Sequence, residues 1–220
     1  VFEKKHNTAR AKLLSQLLEQ NPLPYEVVTR KLNITAAVIR AMENMGILKV
    51  EEKRAYRNPL KEMKQSRKQL VLNDEQRRAV ERIWKDFSGG RHQTYLLWGV
   101  TGSGKTAVYI ELIEQAVKSA RQAIVLIPEI ALTYQTVLRF YQRFGDRVSI
   151  LNSKMSQGER YDQFERAKNG ELDVMIGPRS ALFTPFSNLG IIIIDEEHEN
   201  SYKSETLPRY HARETAIERA

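Results

Sequence analysis

One segment of this 220-residue sequence has the glycine spacing of a phosphate-binding loop. It reads Gly99-Val100-Thr101-Gly102-Ser103-Gly104-Lys105-Thr106, which fits the pattern Gly-x-x-x-x-Gly-Lys-[Ser/Thr]. Glycines let backbone N–H groups approach phosphate oxygens because no Cβ stands in the way. The pattern predicts that Lys105 contacts the β- and γ-phosphates of a nucleoside triphosphate and that the Thr106 hydroxyl is a ligand of Mg²⁺. All eight residues are therefore candidate nucleotide-binding residues.

A second candidate element is an apolar strand that ends in acidic residues. The run Ile191–Ile194 is typical of a strand buried on both faces of a parallel sheet, and Asp195–His198 follow it with the sequence Asp-Glu-Glu-His. Parallel sheets bind ligands at the carboxyl ends of their strands. We predict that Asp195 holds the Mg²⁺ and that Glu196 activates the attacking water. With Lys105, these two are the predicted catalytic residues of a triphosphatase.

Gln76 is open to two interpretations. Asn73 followed three residues later by a glutamine is the capping-box pattern of a helix start. Gln76 also precedes the glycine loop at a position where many helicases place a glutamine that reads adenine. One amide does not easily fill both roles. We predict adenine recognition, and hence ATP rather than GTP.

Strands and helices alternate from Leu70 onward, and this alternation would position the two motifs. Five apolar strands are predicted, at Thr94–Trp98, Ala123–Ile127, Val148–Leu151, Asp173–Ile176 and Ile191–Ile194. The glycine loop would join the first of these strands to a helix over Ala107–Ala120. Such alternation predicts an α/β fold, with a parallel sheet covered by helices on both faces. We assign this domain to residues 70–220.

The first third of the chain has a different pattern. Three short helices and a strand pair are predicted, at about 9–18, 24–32, 35–46, 47–50 and 55–57. Helices followed by a β-hairpin are the order of a small winged-helix domain. We assign it to residues 1–57 and assign residues 58–69 to a basic linker.

The excess positive charge lies in this same region. The net charge is +8; by count, residues 1–68 hold 15 Lys/Arg against 7 Asp/Glu, and the remaining residues hold 20 of each. A polyanion is the natural partner of such a segment, although a solvated basic face has the same composition. The third helix exposes Arg40 beside Glu43, so we expect backbone contact through the wing and linker rather than base reading. A protein-docking or spacer role is the alternative.

Composition excludes several classes of protein. Cysteine is absent, so the sequence has no disulfide framework and no cysteine–zinc site. No apolar run reaches the roughly 20 residues that a membrane span requires. A secretion signal and a starting Met are both missing. We therefore expect a piece of a longer cytoplasmic protein that has no contact with a membrane.

Further motifs resemble those of the bacterial primosomal helicases of superfamily 2. These motifs are Asp195–Lys203, Pro208–Arg213, Leu126–Thr133 and Gly177–Thr184, within a resemblance that covers about Leu70–Ala220. The resemblance implies a RecA-like first helicase lobe preceded by a winged helix. It implies an ATP-driven 3′-to-5′ DNA helicase that acts on single-stranded and forked DNA to restart replication. Primosome and single-strand-binding proteins are the implied partners.

The resemblance also implies DNA contacts in loops that follow strands. The implied residues are Pro128, Glu129, Thr133, Arg179, Ser180, Thr184 and, in an aromatic-rich loop over Glu199–His211, Tyr202, Lys203, Arg209 and Tyr210. Aromatic rings can stack on unpaired bases while cations hold the backbone. Glu197 and His198 would couple DNA binding to water activation. No second His or Cys is spaced to make His198 a metal ligand.

Parts of that helicase family are expected outside this sequence. The second motor lobe with its arginine finger and the zinc insertion would follow Ala220, and a DNA-end-binding domain would precede Val1. Zinc is therefore not expected in this chain, and we expect weak nucleotide binding without unwinding. Two alternatives stay open: a related superfamily 2 translocase acting on other duplexes, and a nucleotide-gated winged-helix regulator that binds DNA.

Overall fold

A computed structural model of the chain describes residues 8–19, 21–23, 25, 27–51 and 71–220. The chain divides into two compact units, Val1–Ala55 and Tyr56–Ala220. The predicted linker at 58–69 and the predicted return strand at 55–57 lie outside the described residues. No helix in the described ranges combines the length and the apolar character that crossing a membrane requires.

The first unit is a small helical domain. It contains α1 (Thr8–Glu19), a π-helical turn (Val27–Lys31) and α2 (Ala36–Asn44), and its buried core comprises Leu13, Val28, Ile34, Ile39 and Met42. The first and third predicted helices are confirmed, and the described residues of the second comprise a helical Tyr25 and the π-helical turn. Residues 47–50 form no strand with any described segment. The winged helix therefore stays a prediction.

The second unit is built on a four-stranded parallel sheet. Its strands are β1 (Gln122–Leu126), β2 (Val148–Ile150), β3 (Val174–Gly177) and β4 (Leu189–Ile194), in the order β2-β3-β1-β4. At the centre, Ile124 of β1 lies between Met175 of β3 and Ile192 of β4. Because all the strands are parallel, their carboxyl ends meet at one edge. The predicted parallel sheet is confirmed.

Helices cover both faces of this sheet. They are α3 (Asp74–Ser88), α4 (Lys105–Lys118), α5 (Tyr134–Phe144), α6 (Gln157–Lys168) and α7 (Ala212–Arg219). Successive β1 side chains point to opposite faces, as the period of a strand requires. Val125 packs in one core with residues of α4 and α5, while Ile124 packs in a second core with residues of α6 and α7. The predicted α/β layering is thus confirmed.

The predicted strand at Thr94–Trp98 is wrong. Residues 91–100 have no regular secondary structure, and Trp98 is 90% exposed. The segment is tied to the end of α3 instead, because the buried Asp86 carboxylate accepts hydrogen bonds from Arg91 and Tyr95. A buried carboxylate needs such partners. Only Leu97 packs inward, in a small cluster that includes Ile191 of β4.

Candidate nucleotide and metal site

The glycine loop leads directly into α4, as its motif predicts. Gly102 and Gly104 have φ values of +84° and +82°, a left-handed conformation that costs a side chain with a Cβ about 1–2 kcal/mol. Gly104 is the N-cap residue of α4 and has no side chain with which to cap it. The amino end of the helix, with its partial positive charge, therefore opens onto the loop. This arrangement suits a phosphate group.

Two side chains tie the loop down through its carbonyl oxygens. The Lys105 ammonium donates to the Gly99 carbonyl at 2.8 Å and to the Val100 carbonyl at 3.2 Å. The Gln76 amide nitrogen donates to the Ser103 carbonyl at 2.9 Å. An ammonium group has three donors, so two carbonyls leave Lys105 one more for a phosphate oxygen. Backbone N–H groups, the donors that bind phosphate, are not used by these three contacts.

Gln76 fills the capping role and the loop contact at the same time. The side-chain oxygen of Gln76 accepts from the backbone N–H of Asn73 at 3.0 Å. The backbone N–H of Gln76 donates to the Asn73 side-chain oxygen at 2.8 Å, which completes a capping box. Because the amide has separate donor and acceptor atoms, its nitrogen still reaches Ser103. The expected conflict between two roles is therefore smaller than the sequence suggested. Adenine recognition stays a prediction.

The two predicted metal ligands are brought to a common neighbour. Asp195 follows β4 at the carboxyl edge of the sheet, and Thr106 lies in the first turn of α4. The Tyr109 hydroxyl lies 3.1 Å from Asp195 Oδ2 and 3.3 Å from Thr106 Oγ1. Thr106 and Asp195 are 89 positions apart in the chain, yet an oxygen of each lies within hydrogen-bond distance of the same buried Tyr109 hydroxyl.

Burial controls the electrostatics of this group. Burial raises the pKa of Asp195, and the like charge of Glu196 adds to that effect, while the Tyr109 hydrogen bond and the Lys105 charge oppose it. Burial, with the Asp195 charge, also raises the pKa of Tyr109 far above its ordinary value. Tyr109 is therefore a neutral phenol throughout the physiological range. Asp195 lies in an environment that a nearby cation would stabilise.

Glu196, Glu197 and His198 form a turn directly after Asp195. Glu196 has φ +50°, an uncommon left-handed conformation for a residue other than glycine, and such strain clusters at functional sites. Its carboxylate lies 3.7 Å from His198 Nε2, while Glu197 pairs with Arg213 of α7 at 3.1 Å. Of the two predicted coupling residues, Glu197 thus links the turn to α7, whereas His198 contacts Glu196 within the turn.

The first of the predicted DNA motifs starts at the end of β1. Pro128 is buried, whereas Glu129 and Thr133 are exposed, and Thr133 caps α5. Glu129 Oε1 accepts from the Ser153 N–H at 2.6 Å, and hydrogen bonding to the Ser153 side chain together with this backbone bond lowers the pKa of Glu129. Glu129 therefore organises the neighbouring loop that follows β2. Thr133 also has a structural task, because its hydroxyl accepts from the Thr136 N–H at 3.3 Å, but its side chain stays exposed.

The second DNA motif starts at the end of β3. Arg179 Nη1 donates to the carbonyls of Ser201 and Lys203, at 2.9 and 2.8 Å. Ser180 is half-buried, and Thr184 is buried with its hydroxyl donating to the Ala181 carbonyl at 2.7 Å. The structure does not support a DNA contact through the Thr184 side chain. Arg179 instead holds the backbone of the aromatic-rich loop.

Tyr202 is the clearest departure from the expected DNA-binding set. It is 1% exposed, and its hydroxyl oxygen lies 2.6 Å from the Asp195 carbonyl and 3.0 Å from the Leu126 carbonyl, which share its one proton. These carbonyls lie at the ends of β1 and β4, so Tyr202 joins the loop to the strand that carries the candidate metal ligand. A ring buried in this way is not available to stack on a base.

The remaining residues of the aromatic-rich loop lie on the surface. Lys203 and Arg209 are exposed, and Lys203 forms an antiparallel bridge with His211. Tyr210 is half-buried and meets Phe183 edge to face, with ring centroids 5.2 Å apart. The loop thus has an anchored base, at Tyr202, and an outer part that offers cations and rings to a ligand.

The chain has relatives among known proteins. The family model described as type III restriction enzyme, res subunit, matches residues 69–218. The chain belongs to this family. It is 45% identical over 199 residues to the replication restart protein PriA of Bacillus subtilis, 49% over 148 residues to PriA of Haemophilus influenzae and 36% over 218 residues to PriA of Chlamydia muridarum. The resemblance drawn from the motifs is confirmed.

These alignments cover most of the chain but a small part of each relative. They include 90%, 67% and 94% of this chain and 25%, 20% and 28% of the PriA proteins, in the same order. The chain therefore spans about a quarter of the length of the PriA relatives that it matches. The matched family region, 69–218, contains both the glycine loop and Asp195.

Sequence reasoning missed two residues of this family member's site. Tyr109 follows the glycine-loop motif at i+3 from Thr106, a spacing that places both side chains on one helix face. Phe183 stands inside the Gly177–Thr184 motif, yet its contact with Tyr210 depends on how two loops fold together. The helical spacing could have drawn attention to Tyr109. No local signal in the sequence predicts the Phe183 contact.

Proposed function

We propose that this chain binds Mg²⁺–ATP and forms the first motor lobe of a DNA helicase of replication restart. The observation that carries the proposal is that the Thr106 hydroxyl and the Asp195 carboxylate both contact the Tyr109 hydroxyl. They lie beside the glycine loop, whose carbonyls accept hydrogen bonds from Lys105. The family match and the PriA relatives support helicase activity. ATP as the substrate, 3′-to-5′ movement and a role in primosome assembly belong to the same proposal.

The donor set of the site fits Mg²⁺. This ion prefers oxygen ligands and is usually held by one or two protein oxygens together with substrate phosphates and water. Thr106 Oγ1 and the Asp195 carboxylate supply such a pair of oxygen ligands. Among the described residues, no group of three or more His, Cys, Asp or Glu is arranged to hold a metal, so this pair carries the assignment. When bound, Mg²⁺ neutralises charge that develops on the transferred phosphoryl group.

Other residues of the site bind the phosphates, activate the water and recognise the base. Lys105 and the amino end of α4 bind the phosphates, and the left-handed glycines let backbone N–H groups approach them. Glu196 orients and deprotonates the attacking water, and its position directly after Asp195 places both carboxylates at one strand end. Gln76, which contacts the loop at Ser103, reads the adenine base.

DNA would bind across the loops at the carboxyl edge of the sheet. Apart from Glu129 and Arg179, which hold neighbouring loops, the exposed or half-buried members of the predicted set are Thr133, Ser180, Lys203, Arg209 and Tyr210. Cations and hydroxyls suit backbone phosphates, and the paired rings of Tyr210 and Phe183 suit an unpaired base. Arg179 and Tyr202 connect this surface to Asp195, which supports coupling of DNA binding to hydrolysis.

The test is the rate of ATP hydrolysis by the intact protein with and without single-stranded and forked DNA. We expect DNA to stimulate hydrolysis, and we expect Lys105→Ala and Glu196→Gln to abolish the stimulated rate. Lys118→Ala is the matched control, because Lys118 lies at the other end of α4 and pairs with Glu114 at the surface. The control should keep the wild-type rate.

Two results would count against the proposal. Hydrolysis that ignores DNA would favour a nucleotide-gated regulator, in which ATP acts as a switch. Hydrolysis that survives both Lys105→Ala and Glu196→Gln would place the catalytic site elsewhere in the protein. Unwinding assays on forks with a single-stranded tail of either polarity would test the 3′-to-5′ direction separately.

A further inference from the structure

Tyr109 is a buried residue between the two candidate metal ligands. It is 5% exposed, and its ring packs in the core between α4, α5 and the sheet, stacked on Phe140 with centroids 6.2 Å apart. Only its hydroxyl group reaches the site, at 3.1 Å from Asp195 and 3.3 Å from Thr106. The ring is therefore held by apolar packing, and the position of the hydroxyl follows from that packing.

The number of protons fixes the direction of these hydrogen bonds. A phenol has one proton to donate, while an ionised carboxylate can only accept. The Tyr109 proton therefore serves Asp195, and the best-satisfied arrangement has the Thr106 hydroxyl donating its own proton to the phenol oxygen. When Thr106 donates to Tyr109 and Tyr109 donates to Asp195, the lone pairs of Thr106 Oγ1 face away from Tyr109. One oxygen of Asp195 is held by Tyr109, and the other stays available.

We infer that Tyr109 is a positioning residue that orients the Thr106 hydroxyl and the Asp195 carboxylate toward a shared magnesium ion. The inference rests on the proposed function, because it assigns a partner to the ligands of that same site. Groups that hydrogen-bond to metal ligands fix their orientation, and their loss typically costs 10–100-fold in metal affinity or activity. Tyr109 acts through the two ligands and does not itself touch the nucleotide.

A purely structural role would not require the hydroxyl. Phenylalanine would fill the same space between α4 and α5, and burying a hydroxyl costs free energy unless it is hydrogen-bonded. Tyr141 offers a matched comparison within the same core. It is also buried, and its hydroxyl donates to Asp146 at 3.0 Å, in a contact formed by other residues than those of the candidate site. The two tyrosines differ in what their hydroxyl groups position.

The experiment measures binding of a nonhydrolysable ATP analogue to the intact protein at a series of free Mg²⁺ concentrations. For Tyr109→Phe we expect the half-saturating Mg²⁺ concentration to rise about tenfold. Affinity for the analogue in EDTA should stay at the wild-type value, because the phosphate-binding loop is unchanged. Tyr141→Phe should leave both quantities unchanged, although it also removes a hydroxyl-to-carboxylate bond from the core.

The possible outcomes separate the inference from the function on which it rests. An unchanged Mg²⁺ requirement in Tyr109→Phe, with wild-type protein that needs Mg²⁺, overturns the inference alone. An equal loss of affinity in EDTA and in Mg²⁺ also overturns it, since that pattern indicates a general packing defect. Wild-type protein that binds the analogue without any effect of Mg²⁺ would overturn the proposed function as well.

Discussion

The glycine loop and the aromatic-rich loop flank Asp195, yet they are held in different ways. The glycine loop is fixed by the polar ends of Lys105 and Gln76, which donate to its carbonyls. The aromatic-rich loop is fixed by Tyr202, a side chain buried in the core, and by Arg179. Hydrogen bonds at the surface exchange readily with ligand or water, whereas core packing does not. The glycine loop can therefore rearrange when a ligand binds, whereas the base of the aromatic-rich loop stays fixed to the backbone at Asp195.

The largest expected effect comes from the anchor of the aromatic-rich loop. Replacing Tyr202 by Ala should lower the free energy of unfolding by about 3–5 kcal/mol, the usual cost of removing a large buried aromatic residue. Tyr202→Phe keeps the ring but removes the one proton that the Leu126 and Asp195 carbonyls share, so we expect a loss of about 1–3 kcal/mol. Chemical denaturation of the chain measures both.

The matching change in the glycine loop should have a much smaller effect on stability. Lys105→Ala removes two hydrogen bonds from a half-buried side chain to loop carbonyls, so we expect a loss of about 1 kcal/mol. If Lys105→Ala destabilised the chain as much as Tyr202→Ala, the contrast between the two loops would be lost.

A second prediction concerns the fit between Gly104 and Gln76. A Cβ on Gly104 would lie 2.4 Å from the Gln76 amide nitrogen, and its φ of +82° also disfavours alanine. Gly104→Ala should therefore cost about 1–2 kcal/mol in strain and, in addition, weaken nucleotide binding by displacing Gln76. Calorimetric titration with the ATP analogue measures the second effect.

Gly170→Ala is the control for backbone strain. Gly170 has φ +73° in the same unit, but a Cβ there would meet nothing within 4 Å. It should show the cost in stability without the loss of nucleotide affinity. Equal affinities for the two alanine variants would show that the Gln76 contact does not shape the loop.

The sequence predicts this site well where each signal is local. The glycine spacing places the loop before α4, and the isoleucine run places Asp195 at the end of β4, because parallel strands share one carboxyl edge. The capping box at Asn73 was likewise readable from two residues three positions apart. In each case, neighbours in sequence are also neighbours in space.

The parts that sequence reasoning missed depend on tertiary contacts. The apolar run at Thr94–Trp98 reads as a strand, but Tyr95 bonds to Asp86 of α3 and the run does not pair with β4. Tyr202 lies among polar residues, so nothing in its neighbourhood predicts a buried anchor. Tyr109 looks like an ordinary core residue of α4 until β4 brings Asp195 to its hydroxyl.

A third and smaller effect concerns Arg179. Its two hydrogen bonds fix the backbone at Ser201 and Lys203, so Arg179→Ala should free this segment while the ring of Tyr202 stays buried. A loss of about 1 kcal/mol corresponds to roughly fivefold faster amide exchange in residues 200–204. Arg209→Ala, an exposed change in the same loop, is the control. Exchange that Arg179→Ala leaves unaltered would show that Tyr202 alone anchors the loop.

The smallest predicted effect is a dependence on pH. Hydrogen bonds from the side chain and the backbone N–H of Ser153 lower the pKa of Glu129 in the folded state, so this contact stabilises the fold above the ordinary glutamate pKa. The contribution is lost as the pH falls from there through the lower, folded-state pKa. Glu129→Gln should therefore flatten the loss of stability as the pH falls from about 5 to values below the ordinary glutamate pKa of about 4.3, measured by thermal unfolding. Glu205→Gln, an exposed change near the loop tip, should leave the profile unchanged.

The central claim is that the glycine loop and the end of β4 form one magnesium–nucleotide site. A double-mutant cycle on Thr106→Val and Asp195→Asn tests it most directly, with Mg²⁺-dependent binding of the ATP analogue to the intact protein as the measured quantity. If both side chains hold the same ion, either change alone should remove most of the Mg²⁺ effect, and the double variant should be hardly worse. Independent, additive losses would contradict the account, because they would mean that the two side chains act at separate places.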